Sequence, residues 1–295
     1  MAILSDLSRD IAALVERCSP SVLTVDARRG RAATGLVWAD NLVLTAAHAL
    51  EHEDEIKVLA GTSPMSASVV GRDPGTDLAL IKIEGLATPA GVRGQSAGLR
   101  PGHLVLAVGR PGQLQVTLGI VSGISGAYRS WRGSQVERLI ETTAELLPGF
   151  SGGPLLDAEG RVIGINSWNF GRGLSRALPI ETVERVVESL RTHGRIRRAY
   201  LGVGTQPVRL ADALATQLGQ PTGLLVVTVE PGGPAANAGF LQGDTIVSID
   251  GDAVHQLDDL FGAVRRLEVG STHTLRVIRA GEPKDLRVTV TERAP

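Results

Sequence analysis

Residues 148–155 have the sequence PGFSGGPL, in which Ser151 lies between glycines. Glycine readily adopts backbone conformations with positive φ, so this stretch predicts a tight turn that exposes the serine hydroxyl and points backbone N–H groups inward. Around this turn, from Ser21 to Leu178, the chain consists of short runs rich in Val, Ile and Leu that are mostly separated by glycine or proline. That pattern predicts many short strands, and an all-β barrel or sandwich as the fold.

The composition of the 295-residue chain excludes several classes of protein. Hydrophobic residues make up 43% and charged residues 21%, which is typical of globular proteins, and the length fits about two domains. The formal net charge is -1, so no field of one sign exists to attract nucleic acid or anionic lipid, and we expect no nucleic-acid partner. The one cysteine, Cys18, excludes a disulfide scaffold and a cysteine zinc cluster, and we expect neither a metal nor another cofactor.

The amino-terminal residues show no export signal, since the longest apolar run among the first twenty residues is Ile11 to Val15 and several charges flank it. No stretch approaches the roughly 18 apolar residues that a membrane helix needs, so we expect a soluble chain without a membrane span. The compartment stays open: the cytoplasm, or the periplasm or cell exterior if the chain had already been trimmed of a signal.

Helical periodicity divides the chain into four parts. An apolar face over Leu7 to Val15, stopped by Ser19-Pro20, predicts a short helix, and a second helical pattern begins at Glu181 and is ended by Gly194. Beyond it, strand-like runs alternate with two helical segments, as in a small α+β module. We therefore expect a helical arm at residues 1–20, a β domain at 21–180, a linker helix at 181–198 and an α+β module at 199–295.

Three polar residues of the β domain form a possible catalytic set. His48 follows the strand-like Leu42 to Leu44, Asp77 precedes the strand-like Leu78 to Ile83, and Ser151 occupies the glycine-rich turn. A serine hydroxyl becomes a nucleophile when an imidazole takes its proton, and a carboxylate fixes the tautomer of that imidazole. Each residue alone also has a plain structural interpretation: a surface or buried histidine, a turn cap, and a loop serine.

Several blocks of sequence resemble the HtrA (Deg) family of trypsin-like serine proteases. Three carry the candidate residues, and two more lie in the β domain: Thr45–His48, Asp73–Lys82, Gly149–Leu155, Val105–Pro111 and Gly160–Asn166. Two blocks of the last part, Tyr200–Val203 and Gly239–Ile246, are similar to the single PDZ domain that such proteases carry. The resemblance implies a mostly β protein with two six-stranded chymotrypsin-like β-barrels, followed by a small α+β PDZ domain.

The resemblance also implies roles for individual residues. His48 would be the general base, Asp77 the group that orients it and Ser151 the nucleophile, while the N–H groups of Gly149 and Ser151 would form the oxyanion hole. The family usually has asparagine where this chain has Phe150, and a bulky apolar side chain without a pocket there would disturb the Gly149 peptide.

Other implied roles concern peptide recognition. The pocket for the residue before the scissile bond would be lined by Leu146, which implies a preference for small or medium aliphatic residues. Glu145 beside it would favour Lys or Arg if it faced the pocket, unless Arg176 neutralised it. In the PDZ module an extended peptide would add a strand beside Leu201 to Thr205, and Tyr200–Val203 would receive its terminal carboxylate. The alternative interpretation is that Leu201, Gly202 and Val203 only form a strand of the core.

Two functions remain open from the sequence. The first is a serine endopeptidase that cleaves misfolded or unfolded proteins through an acyl-enzyme and captures peptide C-termini with its PDZ domain. The alternative is an inactive or latent protease shell that acts as a peptide-binding chaperone or scaffold, with Phe150 as the sign of a disabled site. The resemblance further implies a homotrimer, and unfolded polypeptides and peptide C-termini as partners.

Overall fold

The computed structural model describes residues 2–27, 32–51, 55–61, 63–126, 128–129, 135–171, 173–197 and 199–292. The chain folds into two compact units that meet in sequence between Ile196 and Arg197. Among the described residues the structure has five α-helices: α1 (Ala2–Cys18), α2 (Ile180–His193), α3 (Asp212–Leu218), α4 (Pro234–Asn237) and α5 (Leu257–Arg266).

The first unit begins with a closed barrel of six antiparallel strands. These are β1 (Val22–Asp26), β2 (Ala33–Ala39), β3 (Leu42–Ala46), β4 (Ile56–Ala60), β5 (Ser63–Asp73) and β6 (Leu78–Lys82). They are hydrogen-bonded in the order β1-β2-β3-β6-β5-β4. Alternate residues of these strands point inward, so Val, Leu and Ile side chains fill the barrel.

A second closed barrel follows in the same unit. The strands are β7 (Leu104–Gly109), β8 (Gln115–Ser125), β9 (Tyr128–Arg129), β10 (Gln135–Val136), β11 (Leu139–Thr142), β12 (Pro154–Leu156), β13 (Val162–Asn166) and β14 (Ser175–Pro179). Six of them close in the order β11-β14-β13-β12-β7-β8, while β9 and β10 pair separately. The prediction of two six-stranded barrels is confirmed.

Two helices complete the first unit. In α1, Leu14 is buried and Ile11 and Val15 pack against the same core. The Cys18 thiol at the end of α1 donates to the Gly160 carbonyl at 3.2 Å, and burial raises the pKa of that thiol. Its surroundings are those of a packing residue and not of a reactive thiolate.

The helix α2 lies within the first unit. Its apolar face, Ile180, Val183, Val186, Val187 and Leu190, is buried in the main core of that unit. Gly194 ends α2 in a left-handed conformation with φ 71°, as the sequence predicts. The segment assigned to a linker from the sequence (residues 181–198) therefore contains a helix that packs onto the barrels, because its apolar stripe finds a partner there.

The second unit is an α+β module. Its strands are β15 (Ala199–Tyr200), β16 (Val203–Arg209), β17 (Thr222–Val229), β18 (Thr245–Ile249), β19 (Asp252–Ala253), β20 (Thr272–Arg279), β21 (Glu282–Thr289) and β22 (Thr291–Glu292). The main sheet has the order β16-β17-β18-β20-β21, with β19 beside β18, so β16 is an edge strand. Helix α5 contacts β15 and β16.

Candidate active site

Strand pairing brings His48 and Asp77 together. Ala46, the last residue of β3, lies opposite Leu78, the first residue of β6, so the residues just beyond the two strand ends are neighbours. The His48 Nδ1 atom lies 2.8 Å from Asp77 Oδ2, and the His48 backbone N–H donates to Asp77 Oδ1 at 3.0 Å. An ionised carboxylate only accepts hydrogen bonds, so the shared proton belongs to Nδ1, and Nε2 of the neutral ring keeps a free lone pair.

The Asp77 carboxylate is buried and held by three groups. The side chain is 2% exposed, whereas that of His48 is 22% exposed. Besides the His48 backbone and ring, Ser167 Oγ donates to Asp77 Oδ2 at 2.5 Å. The backbone of Asp77 has φ 57°, an unusual conformation for a residue with a side chain. Since such strain concentrates at functional sites, this conformation supports a role for the carboxylate.

Ser151 lies in a turn immediately before β12. The next residue, Gly152, has φ 86°, and a Cβ atom there would come within 2.3 Å of the Thr34 carbonyl oxygen and 2.7 Å of the Ala46 nitrogen. Only glycine permits this close approach, which brings the turn against the strand end that precedes His48. The turn predicted around Ser151 is therefore present, and it packs beside the His48 strand.

Two consecutive residues connect the side chains of Asp77 and Ser151. Ser167 donates to the Asp77 carboxylate, and the N–H of Trp168 donates to Ser151 Oγ at 3.2 Å. Asp77 and Ser151 therefore lie within the reach of one dipeptide. Within the described part of the chain, Ser151 Oγ and the His48 ring share no hydrogen bond. Catalytic hydrogen bonds are often long or misaligned in an unliganded site and tighten when substrate binds.

The turn leaves two backbone donors without an acceptor among the described residues. The N–H groups of Phe150 and Gly153 are used within the turn, donating to the Leu147 and Phe150 carbonyls at 3.0 Å and 2.9 Å. By contrast, neither the Gly149 N–H nor the Ser151 N–H donates to any described residue. Two such N–H groups, one from the candidate nucleophile and one from the residue two positions before it, are the arrangement that stabilises an oxyanion.

Phe150 has a pocket of its own. The side chain is fully buried in the second barrel among apolar residues that include Val105, Ala107 and Leu155. A Cβ atom on Gly109 would come within 2.3 Å of the Phe150 ring, so the missing side chain of Gly109 makes room for the ring. The aromatic side chain thus anchors the turn in the core.

The three residues predicted for the specificity pocket have different surroundings. Leu146 is buried, and its N–H donates to Ser175 Oγ at 3.1 Å. Since side chains alternate along a strand, Ser175 and Arg176 point to opposite faces of β14. The Arg176 guanidinium bonds Glu141 Oε1 at 2.6 Å and 3.0 Å. The expectation that Arg176 neutralises Glu145 is wrong, because Glu145 is exposed and Arg176 is paired with Glu141.

The predicted peptide-binding residues lie in the second unit, where β15 ends and the edge strand β16 begins. Tyr200 ends β15 and its hydroxyl bonds the Glu230 carboxylate, and Val203 begins β16 opposite Val229. Between them, Gly202 has φ 77° and its carbonyl accepts from the Glu230 N–H at 2.9 Å. The N–H groups of Leu201 and Gly202 have no acceptor among the described residues, which leaves two donors beside the free edge of β16.

Sequence reasoning missed two residues that contact the catalytic set. Ser167 follows directly after the block Gly160–Asn166, so that block marked its position but not its bond to Asp77. Thr34 bonds the Gly149 carbonyl through its hydroxyl, and no motif around it signals this contact.

Among the described residues, no group of three or more His, Cys, Asp or Glu side chains is placed to hold a metal ion. None of the helices in the described ranges combines the length and the apolar run that crossing a membrane requires.

Comparison with protein families agrees with the two units. A model of the trypsin-like peptidase domain matches residues 33–165, and a model of the PDZ domain matches residues 199–290. Among curated proteins, the probable periplasmic serine endoprotease DegP-like of Pseudomonas fluorescens is 38% identical over 263 residues, covering 86% of this chain and 55% of the relative. The protein of the same name from Halomonas elongata is 37% identical over 273 residues, covering 89% and 56%. The chain thus spans about half the length of these relatives.

Solved structures match over nearly the whole chain. The HtrA-type protease AlgW with a tripeptide is 32% identical, with a TM-score of 0.77, covering 96% of this chain and 97% of that one. The same protease with a decapeptide is 29% identical, with a TM-score of 0.79 and coverages of 96% and 99%. A serine endoprotease from Yersinia pestis is 27% identical, with a TM-score of 0.75 and coverages of 95% and 97%. The chain therefore belongs to the HtrA family of trypsin-like serine proteases that carry a PDZ domain.

Proposed function

We propose that this chain is a serine endopeptidase that cleaves unfolded or misfolded polypeptides through an acyl-enzyme. The observation that carries the proposal is the dipeptide Ser167-Trp168, in which Ser167 bonds the Asp77 carboxylate and the Trp168 N–H bonds Ser151 Oγ. Next to Ser151 lie two N–H groups that have no acceptor in the described part of the chain. Phe150 stands where the family usually has asparagine, and its fully buried side chain anchors the turn in the core. This burial favours an enzyme over an inactive scaffold.

The reaction would proceed in two steps. Ser151 Oγ attacks the scissile carbonyl while His48 Nε2 takes its proton, and Asp77 stabilises the imidazolium that forms. The N–H groups of Gly149 and Ser151 hold the negative oxygen of the tetrahedral intermediate. His48 then gives the proton to the leaving amine as the C–N bond breaks. Water, deprotonated by the same ring, hydrolyses the ester and restores the Ser151 hydroxyl.

Digestion of unfolded casein tests this proposal. The wild-type chain should release fragments, Ser151→Ala should release none, and Ser66→Ala should match the wild type, because Ser66 is an exposed serine on β5. Equal inertness of wild type and Ser151→Ala, with peptide binding intact, would favour the scaffold function instead.

For the cleavage site, we propose an aliphatic residue before the scissile bond. Leu146 is buried five positions before Ser151, and the exposed Glu145 lies outside that buried surface. Sequencing the casein fragments should show cuts after small or medium aliphatic residues. Cuts only after Lys or Arg would contradict the assignment, because they require an acidic pocket.

For the second unit, we propose that the segment Tyr200–Val203 captures peptide C-termini. The two unpartnered N–H groups suit a carboxylate, and the free edge of β16 suits an added strand. Titration of the full chain with a C-terminal peptide should shift the amide signals of Leu201 and Gly202. The same peptide with an amidated C-terminus should bind more weakly, and equal binding of both would contradict carboxylate capture.

We further propose a homotrimer joined through α1. Ile3, Leu4 and Leu7 are 83%, 74% and 42% exposed, so the outer half of α1 carries apolar surface that a second copy would cover. Light scattering should give three times the chain mass for the wild type and a lower mass for Leu4→Asp. A wild-type monomer would contradict the trimer.

The names of the curated relatives place those proteins in the periplasm. We propose the same compartment for this chain. Fractionation of bacterial cells should recover the chain with periplasmic marker enzymes, and recovery with cytoplasmic markers alone would contradict the proposal.

A further inference from the structure

A buried threonine connects the first barrel to the turn that holds Ser151. Thr34 lies on β2 and is 0% exposed. Its backbone N–H donates to the Ser151 carbonyl at 3.3 Å, and its hydroxyl bonds the Gly149 carbonyl at 2.7 Å. One residue therefore holds carbonyls on both sides of Phe150.

The direction of the hydroxyl proton follows from its second partner. The backbone N–H of Arg110 donates to Thr34 Oγ1 at 2.8 Å. A backbone N–H can only donate, so this bond uses a lone pair of the hydroxyl oxygen and leaves its proton free. The Gly149 carbonyl, which can only accept, takes that proton. The chain from Arg110 through Thr34 to Gly149 thus has one arrangement of donors and acceptors.

This chain fixes the peptide plane that follows Gly149. Gly149 has φ 94° and no side chain, so its backbone would otherwise rotate easily. The bond from Thr34 holds the Gly149 carbonyl, and Pro111 packs so closely that a Cβ on Gly149 would lie 2.4 Å from it. The Gly149 N–H belongs to the preceding peptide but is attached to the same α-carbon, so both constraints limit the positions that this N–H can take.

We propose that Thr34 is a positioning residue that keeps the Gly149 N–H aimed at the oxyanion. The proposal rests on the proposed serine endopeptidase function and adds a residue to it. Thr34 acts through Gly149 and does not touch the substrate. The competing explanation is that Thr34 is an ordinary buried threonine whose hydroxyl only contributes to stability, as buried hydrogen bonds generally do.

The two explanations predict different kinetics for Thr34→Val, which keeps the shape of the side chain and removes the hydroxyl. Losing a complete oxyanion donor lowers turnover by about 10² to 10³. A donor that is only loosened should give a smaller loss, so we expect kcat on a peptide substrate to fall about 10-fold or more. KM should stay within about threefold, because the lost interaction is made in the transition state. Thr34→Ser keeps the hydroxyl and should restore kcat.

Thr142→Val is the matched control. Thr142 is also a buried threonine whose hydroxyl donates to a backbone carbonyl, that of Ile120, and accepts a backbone N–H, that of Ala144, both at 3.0 Å. These partners lie outside the Ser151 turn. Thr142→Val should lose a similar amount of stability in thermal unfolding, with little change in kcat. A kcat for Thr34→Val within about threefold of the wild type, or equal losses in both variants, would overturn the proposal.

Two further measurements keep the test decisive. If Thr34→Val does not fold, Thr34→Ala and Thr34→Ser are compared, since both are smaller than threonine and only one has a hydroxyl; equal kcat values would overturn the proposal. If the wild type shows no turnover that depends on Ser151, the endopeptidase function fails, and the role of Thr34 is judged by crystallography. A Gly149 N–H that turns away from its wild-type direction in the hydroxyl-free variant supports positioning, and an unchanged Gly149 N–H overturns it.

Discussion

Replacing Phe150 with alanine should destabilise the first unit strongly. The side chain is fully buried among apolar residues of the second barrel, so the variant loses its burial and leaves a cavity. Removing a buried phenylalanine typically lowers the free energy of unfolding by about 3–5 kcal/mol. For a unit of this size, the midpoint of thermal unfolding should fall by roughly 6–20 °C. Circular dichroism gives the midpoint, and casein digestion below it should slow because the turn has lost its anchor.

A double-mutant cycle with Gly109 tests the packing itself. Gly109→Ala should cost about 1–3 kcal/mol in the wild-type background, since its new Cβ meets the Phe150 ring. In the Phe150→Ala background the same methyl group enters the vacated space and should cost nothing or stabilise. The coupling free energy should therefore exceed about 1 kcal/mol. Strictly additive effects, or a Phe150→Ala midpoint within about 2 °C of the wild type, would refute the reasoning.

Three further changes have defined outcomes. Ser167→Ala removes the donor to the Asp77 carboxylate, and we expect kcat to fall about 10-fold, measured at a temperature where the variant is folded; unchanged kcat would contradict this role. The pKa of the Asp250 carboxyl lies below its usual 3.8, mainly because the Thr274 N–H donates a hydrogen bond to it. Asp250 therefore stabilises the fold above about pH 4, and this stabilisation is lost on acidification. Urea denaturation of the full chain, followed by amide signals of β20, should show a smaller loss of stability below about pH 4 for Asp250→Asn than for the wild type; equal losses would contradict the assignment. Gly202→Val places a side chain at φ 77° and should weaken C-terminal peptide binding about 10-fold or more, as measured by calorimetry, while unaltered affinity would exclude this loop from the binding site.

The sequence predicts the barrels well where strands are buried on both sides of the sheet. Runs such as Leu78–Ile83 and Leu104–Val108 are almost wholly apolar, and the corresponding strands β6 and β7 are found with similar bounds. The strand β5 (Ser63–Asp73) has no such signal, because it is partly exposed and carries serine and proline. Backbone pairing with its sequence neighbours β4 and β6 decides its structure, and the side chains of β5 do not reveal that pairing.

The candidate site shows the same division. His48, Asp77 and Ser151 lie in recognisable motifs, and the turn around Ser151 requires its glycines for reasons of local backbone geometry. Thr34 and Ser167 contribute through side-chain hydrogen bonds to residues that are remote along the chain. Such contacts depend on which strands become neighbours, so only the fold reveals them.

The error over Arg176 has a specific physical cause. The neighbouring Ser175 bonds the Leu146 N–H, but alternation along β14 turns the Arg176 side chain to the other face. There the guanidinium finds Glu141, and its Nη1 donates to the Phe170 carbonyl at 2.6 Å. Opposite charge alone predicts a pair with Glu145, but the face of the strand on which Arg176 lies determines which carboxylate it contacts.

The most direct test of the catalytic assignment is a crystal structure of the chain after reaction with an organophosphonate. We predict a covalent bond to Ser151 Oγ, with one phosphonyl oxygen about 2.7–3.1 Å from both the Gly149 and the Ser151 nitrogen atoms. His48→Ala should react far more slowly. An unreacted Ser151, or an adduct whose oxygen atoms contact neither N–H group, would contradict the account.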